Sequence, residues 1–255
     1  MTATVICPYL FENEVVNLKA KLGWDVECIF QQDHAMLGPD LMYQKLWNLT
    51  TEDVIIIHSD MMPLTSDTEN TWYQELCHYA DRYPEAGMFG CLLLYPKRKE
   101  DKDYYIQSAG GHFSKRQEIV FPQHYGSGLE LFSGQTFDTL EIDKGQYNSV
   151  REVAWTTFGG LYIRREVLNK IGNFDPSFEW SYNRDVDYCL QTRKEGYKIY
   201  QVPVRLLHFE SKDVKRLRAQ NSELNNKEAR NLQRLNKKWV GSELFETIER
   251  TIDDN

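Results

Sequence analysis

Hydrophobic residues fall along this chain in two rhythms. Short unbroken runs read as strands: "TATVICPYL" near the N-terminus, "WDVECIF" (Trp24 to Phe30), "EDVIIIHSD" (Glu52 to Asp60) and "AGMFGCLLLYP" (Ala86 to Pro96). Pro8 interrupts the first. Val54 to Ile57 places four β-branched residues in a row, which suits a strand covered on both faces, as in a parallel α/β core. Asp60 then arrives at the carboxyl end of that strand, where open α/β sheets place their ligands, and Pro63 forbids simple continuation.

The second rhythm is helical. "GPDLMYQKLWNL" spaces Leu41, Met42, Leu46 and Leu49 for a helix, and "TENTWYQELCHYADRYP" reads as another, stopped before Pro84. About Lys97 to Arg151, charge, glycine and aromatics predict short strands, with "IQSAGGHF" as a strand and turn, and a long loop. Beyond Glu152 the order returns. "VAWTTFGGLYI" reads as a strand interrupted by Gly159 and Gly160, and "RREVLNKIG" as a short helix closed by Gly172. "NFDPSF" is a turn, "RDVDYCLQTRKEG" a helix ending near Gly196, and "YKIYQVPV" a final strand leading to His208. Alternating strands and helices predict a Rossmann-like α/β fold with a mixed, mostly parallel sheet flanked by helices. The expected division is a domain over 1–211 and a helical extension over 212–255 packed on it.

Composition narrows the classes. The 255 residues are 41% hydrophobic and 27% charged, an ordinary globular balance, and the net charge of -8 argues against a general nucleic-acid binder. Cys7, Cys28, Cys77, Cys91 and Cys189 are scattered, without C-x-x-C pairing, which fits a reducing, cytoplasmic setting. The N-terminus has no signal-peptide pattern, and no run approaches the roughly 18 apolar residues of a membrane span. Between Lys212 and Lys238, nine Lys or Arg face three Asp or Glu. That basic stretch is either a solvated helix packed on the domain or a peripheral contact with an anionic membrane.

Three polar clusters can carry chemistry. In His58-Ser59-Asp60, strand alternation turns His58 and Asp60 to one face if the strand persists; Asp60 suits a hard cation or a cap on the next turn. In Asn183-Arg184-Asp185-Val186-Asp187, Asp185 at a helix mouth can project into a cleft as a general base, whereas Asp187 suits helix N-terminal charge complementarity. His208, followed by "FESKD", is a ligand or a structural histidine. Phosphate-loop, dinucleotide, zinc-protease and esterase-elbow motifs are missing.

Taken in order, the pieces resemble glycosyltransferase family 2, the inverting nucleotide-sugar transferases with a GT-A fold, in its rhamnosyltransferase-like branch. The resemblance is carried across Pro84 to Ser211 by "YPEAGMFGCLLLYP", "IQSAGG", "FGGLYIRREVLNKIGNFDPSF" and "RDVDYCLQTRKEGYKIYQVP", with His208 after them. It implies a nucleoside-diphosphate-sugar donor, a divalent manganese or magnesium ion and a glycan acceptor, lipid-linked in surface polysaccharide synthesis. By that resemblance Asp60 anchors the metal with His58 and His208, and Asp185 is the catalytic base. Pro8, Tyr9, Asp33, Ser59, Gly159 and Gly160 fall on the donor side, and Arg184, Trp180 and Asp187 on the acceptor side. Two positions depart from the family pattern. His58 stands at the first metal position, which weakens the ion's hold or shares it with His208. Arg184 stands before the base, where a cation is expected to lower the pKa of Asp185 or to hold an anionic donor or acceptor. Those departures also suit a non-catalytic GT-A domain that binds nucleotide sugar or glycan within a larger synthase; a metal-dependent phosphate-ester enzyme is a third reading.

Overall fold

The structure, a computed structural model, describes residues 2–22, 26–35, 37–64, 71–116, 119–127, 140–179, 183–210 and 222–252. Strands β1 (Ala3–Tyr9), β2 (Cys28–Gln32), β3 (Asp53–Ile56), β5 (Ala86–Leu94) and β11 (Lys198–His208) run in one direction. Strands β10 (Leu161–Ile163) and β4 (Met61–Pro63) run against them. The nine-stranded sheet has the order β2-β1-β3-β10-β5-β11-β4, with β6 (Ile106–Ser108) added to β5 and β9 (Arg151–Glu152) to β11. This is the mixed, mostly parallel sheet that the sequence predicts.

The β-branched run explains its depth. Val54 and Ile56 join one buried cluster with Leu46 and Trp47, while Ile55 and Ile57 join the opposite cluster with Leu18 and Leu76. The alternation of a strand thus supplies both faces. Helices α2 (Pro39–Trp47), α4 (Arg165–Ile171) and α5 (Arg184–Lys194) cover the first face; α1 (Glu12–Lys21) and α3 (Trp72–Arg82) cover the second. Helix α1 is not legible in the sequence pattern, because it buries only a narrow stripe, Val15 and Leu18 among its described side chains. The expected strand from Val153 to Ile163 is also shorter, with only Leu161–Ile163 in the sheet.

Pro8 does not break β1. Odd residues of β1 bond toward β2, as Val5 N–H does to Glu27 O, and even residues bond toward β3, as Ile6 O does to Ile57 N–H. The missing N–H of Pro8 therefore points past the end of β3, where no ladder bond is needed.

The C-terminal helices, α6 (Ser222–Trp239) and α7 (Glu243–Ile252), place Leu235, Trp239, Phe245 and Ile248 in the same cluster as Trp155 and Val186. Two asparagines clamp α6. The side chain of Asn236 takes both backbone groups of Val120, at 2.7 and 2.9 Å, in the antiparallel pair β7 (Gly111–Arg116) and β8 (Ile119–His124). Asn231 holds Glu179 in the same way. Three described cations of the basic stretch pair within the fold: Arg230 and Arg234 with Glu179, and Lys238 with Asp175 and Asp187. Residues 211–221 lie outside the described part. Because the buried Trp239 also donates its indole N–H to Asp187 at 2.7 Å, Trp239→Ala is expected to destabilise the fold by about 3 to 5 kcal/mol in urea unfolding. Trp239→Phe should cost distinctly less, and an alanine effect below about 0.5 kcal/mol would mean the extension is not part of the core.

Candidate functional site

The parallel strands β1, β2, β3, β5 and β11 all deliver their carboxyl ends to one edge of the sheet, and His58, Asp60 and His208 gather there. Strand β3 stops at Ile56, so His58 and Asp60 are not aligned by alternation. They are brought together by a turn closed by the Met61 N–H bond to His58 O at 3.1 Å. The chain then reverses into β4, whose Met61 pairs in register with His208 of β11, and Phe209 N–H bonds Asp60 O at 2.8 Å. Pro63 fits in this edge strand because its nitrogen faces away from β11.

This register places side-chain donors of His58, Asp60 and His208 within 4.8 Å of one another. His208 Nε2 lies 3.4 Å from Asp60 Oδ1. The His58 ring stacks on Tyr43, with centroids 6.1 Å apart and planes 7° apart, and meets His208 edge-on at 5.6 Å. Burial, reinforced by the neighbouring His208 imidazole, pushes His58 down to about 4 against the opposing pull of Asp60, so its imidazole is neutral and able to act as a ligand near pH 7. Two imidazoles and a carboxylate make a donor set suited to manganese and related transition metals more than to magnesium. The residues present therefore fit a single divalent ion. Gly159 borders the cluster: a Cβ there would sit 2.2 Å from Met61 Cε and 3.1 Å from His58 Cε1. Gly160, at φ 69°, faces Leu206 and Cys91 in the core instead.

Asp185 lies half-buried in the first turn of α5, accepting from Val186 N–H at 2.9 Å. Burial pushes its carboxyl up to about 7, and the charge of Asp40 adds to the rise, while the Val186 bond opposes it. The expectation that Arg184 lowers this pKa is overturned. The Arg184 guanidinium turns away to Asp40 Oδ2 at 2.8 Å and to Phe178 O, so it neither neutralises Asp185 nor lies open to an anionic ligand. Buried Tyr43 links the two halves of the site. Burial first, then the negative charges of Asp40, Asp60 and Asp185, hold its phenol well above its ordinary pKa.

The remaining candidates separate. Asp187 is 1% exposed, and its carboxylate is taken by Lys238, Trp239 and Gln191. It therefore anchors α6 rather than opening to a ligand. Asp33 accepts from the N–H groups of Leu37 and Gly38, at 2.9 and 2.8 Å, and so shapes the entry to α2. Ser59 donates to Glu14 at 3.2 Å. Pro8 and Tyr9 sit at the carboxyl end of β1, where Tyr9 bonds Glu12 and the Lys19 ammonium lies 5.5 Å from its ring centre. Trp180 lies outside the described residues. Sequence reasoning missed Asp40, Tyr43 and Gln107, and singled out Glu210 only as a polar neighbour of His208. Gln107 stands inside the "IQSAGG" string, and its Oε1 is 2.7 Å from His208 Nδ1. No helix among the described residues is long and apolar enough to cross a membrane.

No family model matches the chain. It is 26% identical over 208 residues to the O-antigen biosynthesis protein RfbC of Myxococcus xanthus, a match covering 79% of this chain and 14% of that protein. It is 26% identical over 167 residues to the uncharacterized protein y4gI of Sinorhizobium fredii, covering 63% of this chain and 15% of the relative. The chain thus spans about a seventh of these relatives' length. Among solved structures it resembles GalNAc-T7, crystallised with UDP, GalNAc and Mn2+, with a TM-score of 0.54 and 12% identity over 82% of this chain and 44% of that one. The chain therefore has a GT-A fold.

Proposed function

We propose that this chain is an inverting glycosyltransferase that moves a sugar from a nucleoside diphosphate to a hydroxyl of a glycan acceptor, with a divalent ion held by His58, Asp60 and His208. The carrying observation is that donor set at the ligand-bearing edge of the sheet, with Tyr43 between it and Asp185, a carboxyl that burial raises to about 7. When bound, the ion supplies Lewis-acid neutralisation of the diphosphate leaving group. Asp185 takes the proton of the acceptor hydroxyl, whose oxygen bonds to the anomeric carbon from the face opposite the diphosphate. The carbon–oxygen bond to the diphosphate breaks, and its electron pair leaves with the nucleoside diphosphate. A base near pH 7 suits that proton transfer, because it is ionised in use yet basic enough to accept. Gly159 keeps the edge open beside His58. The similarity to an O-antigen biosynthesis protein supports a surface glycan as the acceptor class.

The reading is tested by release of nucleoside diphosphate from a donor panel in the presence of glycan acceptors. Transfer should require a divalent ion and run at least about tenfold faster with manganese than with magnesium, given two nitrogen ligands. Asp60→Ala should abolish it, and metal-independent transfer would contradict the site.

Asp185→Asn should lower kcat by about 10² to 10⁴, and wild-type kcat/KM should fall as pH drops through about 7, where Asp185 gains its proton. The stability effect has the opposite sense. Between the ordinary value of 3.8 and about 7, the folded protein keeps a proton that the unfolded chain has released, so ionisation costs stability as pH rises. In EDTA, Asp185→Asn should therefore gain stability over wild type from pH 4 to 7 and hold that gain above it. A pH-independent difference in thermal unfolding would show that Asp185 titrates normally.

A further inference from the structure

Beyond the three candidate ligands, one buried amide governs how His208 is presented. We propose that Gln107 is the positioning residue of the cation site, fixing His208 with its proton on Nδ1 so that Nε2 offers a lone pair beside Asp60. The inference rests on the cation reading above and extends it to a residue with no ligand role of its own.

Gln107 is 8% exposed and lies on β6, held against β5 by the pairing of Ser108 with Leu93. A buried amide is costly unless both of its ends are bonded, and here both are. Its Nε2 donates to Glu210 Oε1 at 3.0 Å, and its Oε1 lies 2.7 Å from His208 Nδ1. The first bond settles the orientation of the amide, because a carboxylate oxygen requires a donor. The second follows from it. An amide oxygen only accepts, so the hydrogen between the two residues belongs to His208 Nδ1. With that proton on Nδ1, Nε2 is the His208 atom left to offer a lone pair, 3.4 Å from Asp60 Oδ1, where a cation would sit between the two.

The anchor of this arrangement is itself unusual. Glu210 has φ 48°, one of two described non-glycine residues with a positive φ, a conformation that L side chains rarely adopt. It turns the Glu210 carboxylate back toward the sheet, where it receives Gln107 and also the Tyr95 hydroxyl at 3.3 Å. Three elements therefore converge on one imidazole: the end of β5 through Tyr95, β6 through Gln107 and the segment after β11 through Glu210. A packing role alone would need neither the fixed amide orientation nor the strained glutamate.

The experiment has two readouts that do not depend on turnover. In metal-free wild type, long-range 15N–1H NMR of the histidines should show His208 with the proton on Nδ1; a proton resident on Nε2 overturns the proposal. In an EPR titration with Mn2+ alone, Gln107→Leu should weaken binding by about 10- to 100-fold, while its thermal unfolding in EDTA stays close to that of wild type. The double variant Gln107→Glu/Glu210→Gln keeps an acceptor facing Nδ1–H and a donor facing it in turn, and should recover most of the lost affinity. Gln107→Met, similar in length, repeats the test should the leucine variant fail to fold. Wild-type affinity in Gln107→Leu, or a loss that the double variant does not restore, overturns the positioning role. No Mn2+ binding by wild type would overturn the cation site itself, a result distinguishable from failure of Gln107 alone.

Discussion

The site depends on one antiparallel register, that of β4 against β11. Three residues of pairing, Met61 to Pro63 with Leu206 to His208, bring the tight turn after β3 against the end of a strand nearly 150 positions later in the chain. The Phe209 N–H bond to Asp60 O completes the clamp. A slip of one residue would set Asp60 opposite His208 or Glu210 instead of Phe209 and turn the side chains of one strand to the other face of the sheet. Backbone hydrogen bonds, rather than contacts among the polar side chains, therefore set the spacing of His58, Asp60 and His208. That is the rigid support a cation site needs, because ligands held by the sheet do not have to be ordered when the ion arrives.

Burial then sets the charge of each group. It keeps His58 neutral at about 4 and raises Asp185 to about 7. The same force acts on Asp40, raised to about 6 despite its bond with Arg184. Asp40 engages the guanidinium of Arg184, the residue before Asp185, and the field of Asp40 adds to the rise in the pKa of Asp185. Helix α2 thus serves both halves of the site, through Asp40 toward the base and through Tyr43 against His58.

Much of this was legible in the sequence, and the parts that were not have physical reasons. The run Val54 to Ile57 declares a doubly covered strand, because only such a strand tolerates four β-branched residues in succession. Its sequel reads in the sequence as a ligand-bearing end aligned by strand alternation, whereas a turn brings His58 and Asp60 together. Asp185 was legible as a helix-mouth carboxylate, but the direction of its pKa was not, since the side chain of Arg184 follows a tertiary partner, Asp40, 144 positions away. Asp187 looks like a second site residue in the sequence and proves to be the anchor of α6, because its partners Lys238 and Trp239 come from the far end of the chain. Gln107 lay inside a quoted motif without a role, and only the fold places it against His208. Long-range pairs of this kind leave no periodic trace.

The most direct measurement is pulsed EPR of Mn2+ bound to the protein together with a nucleoside diphosphate. Geometry in which His58 and His208 flank Asp60 predicts 14N couplings from two imidazoles, one of them lost in His58→Ala and the other in His208→Ala. Bound Mn2+ without imidazole nitrogen coupling would contradict the account, because the ion would then be held by phosphate and carboxylate oxygen alone.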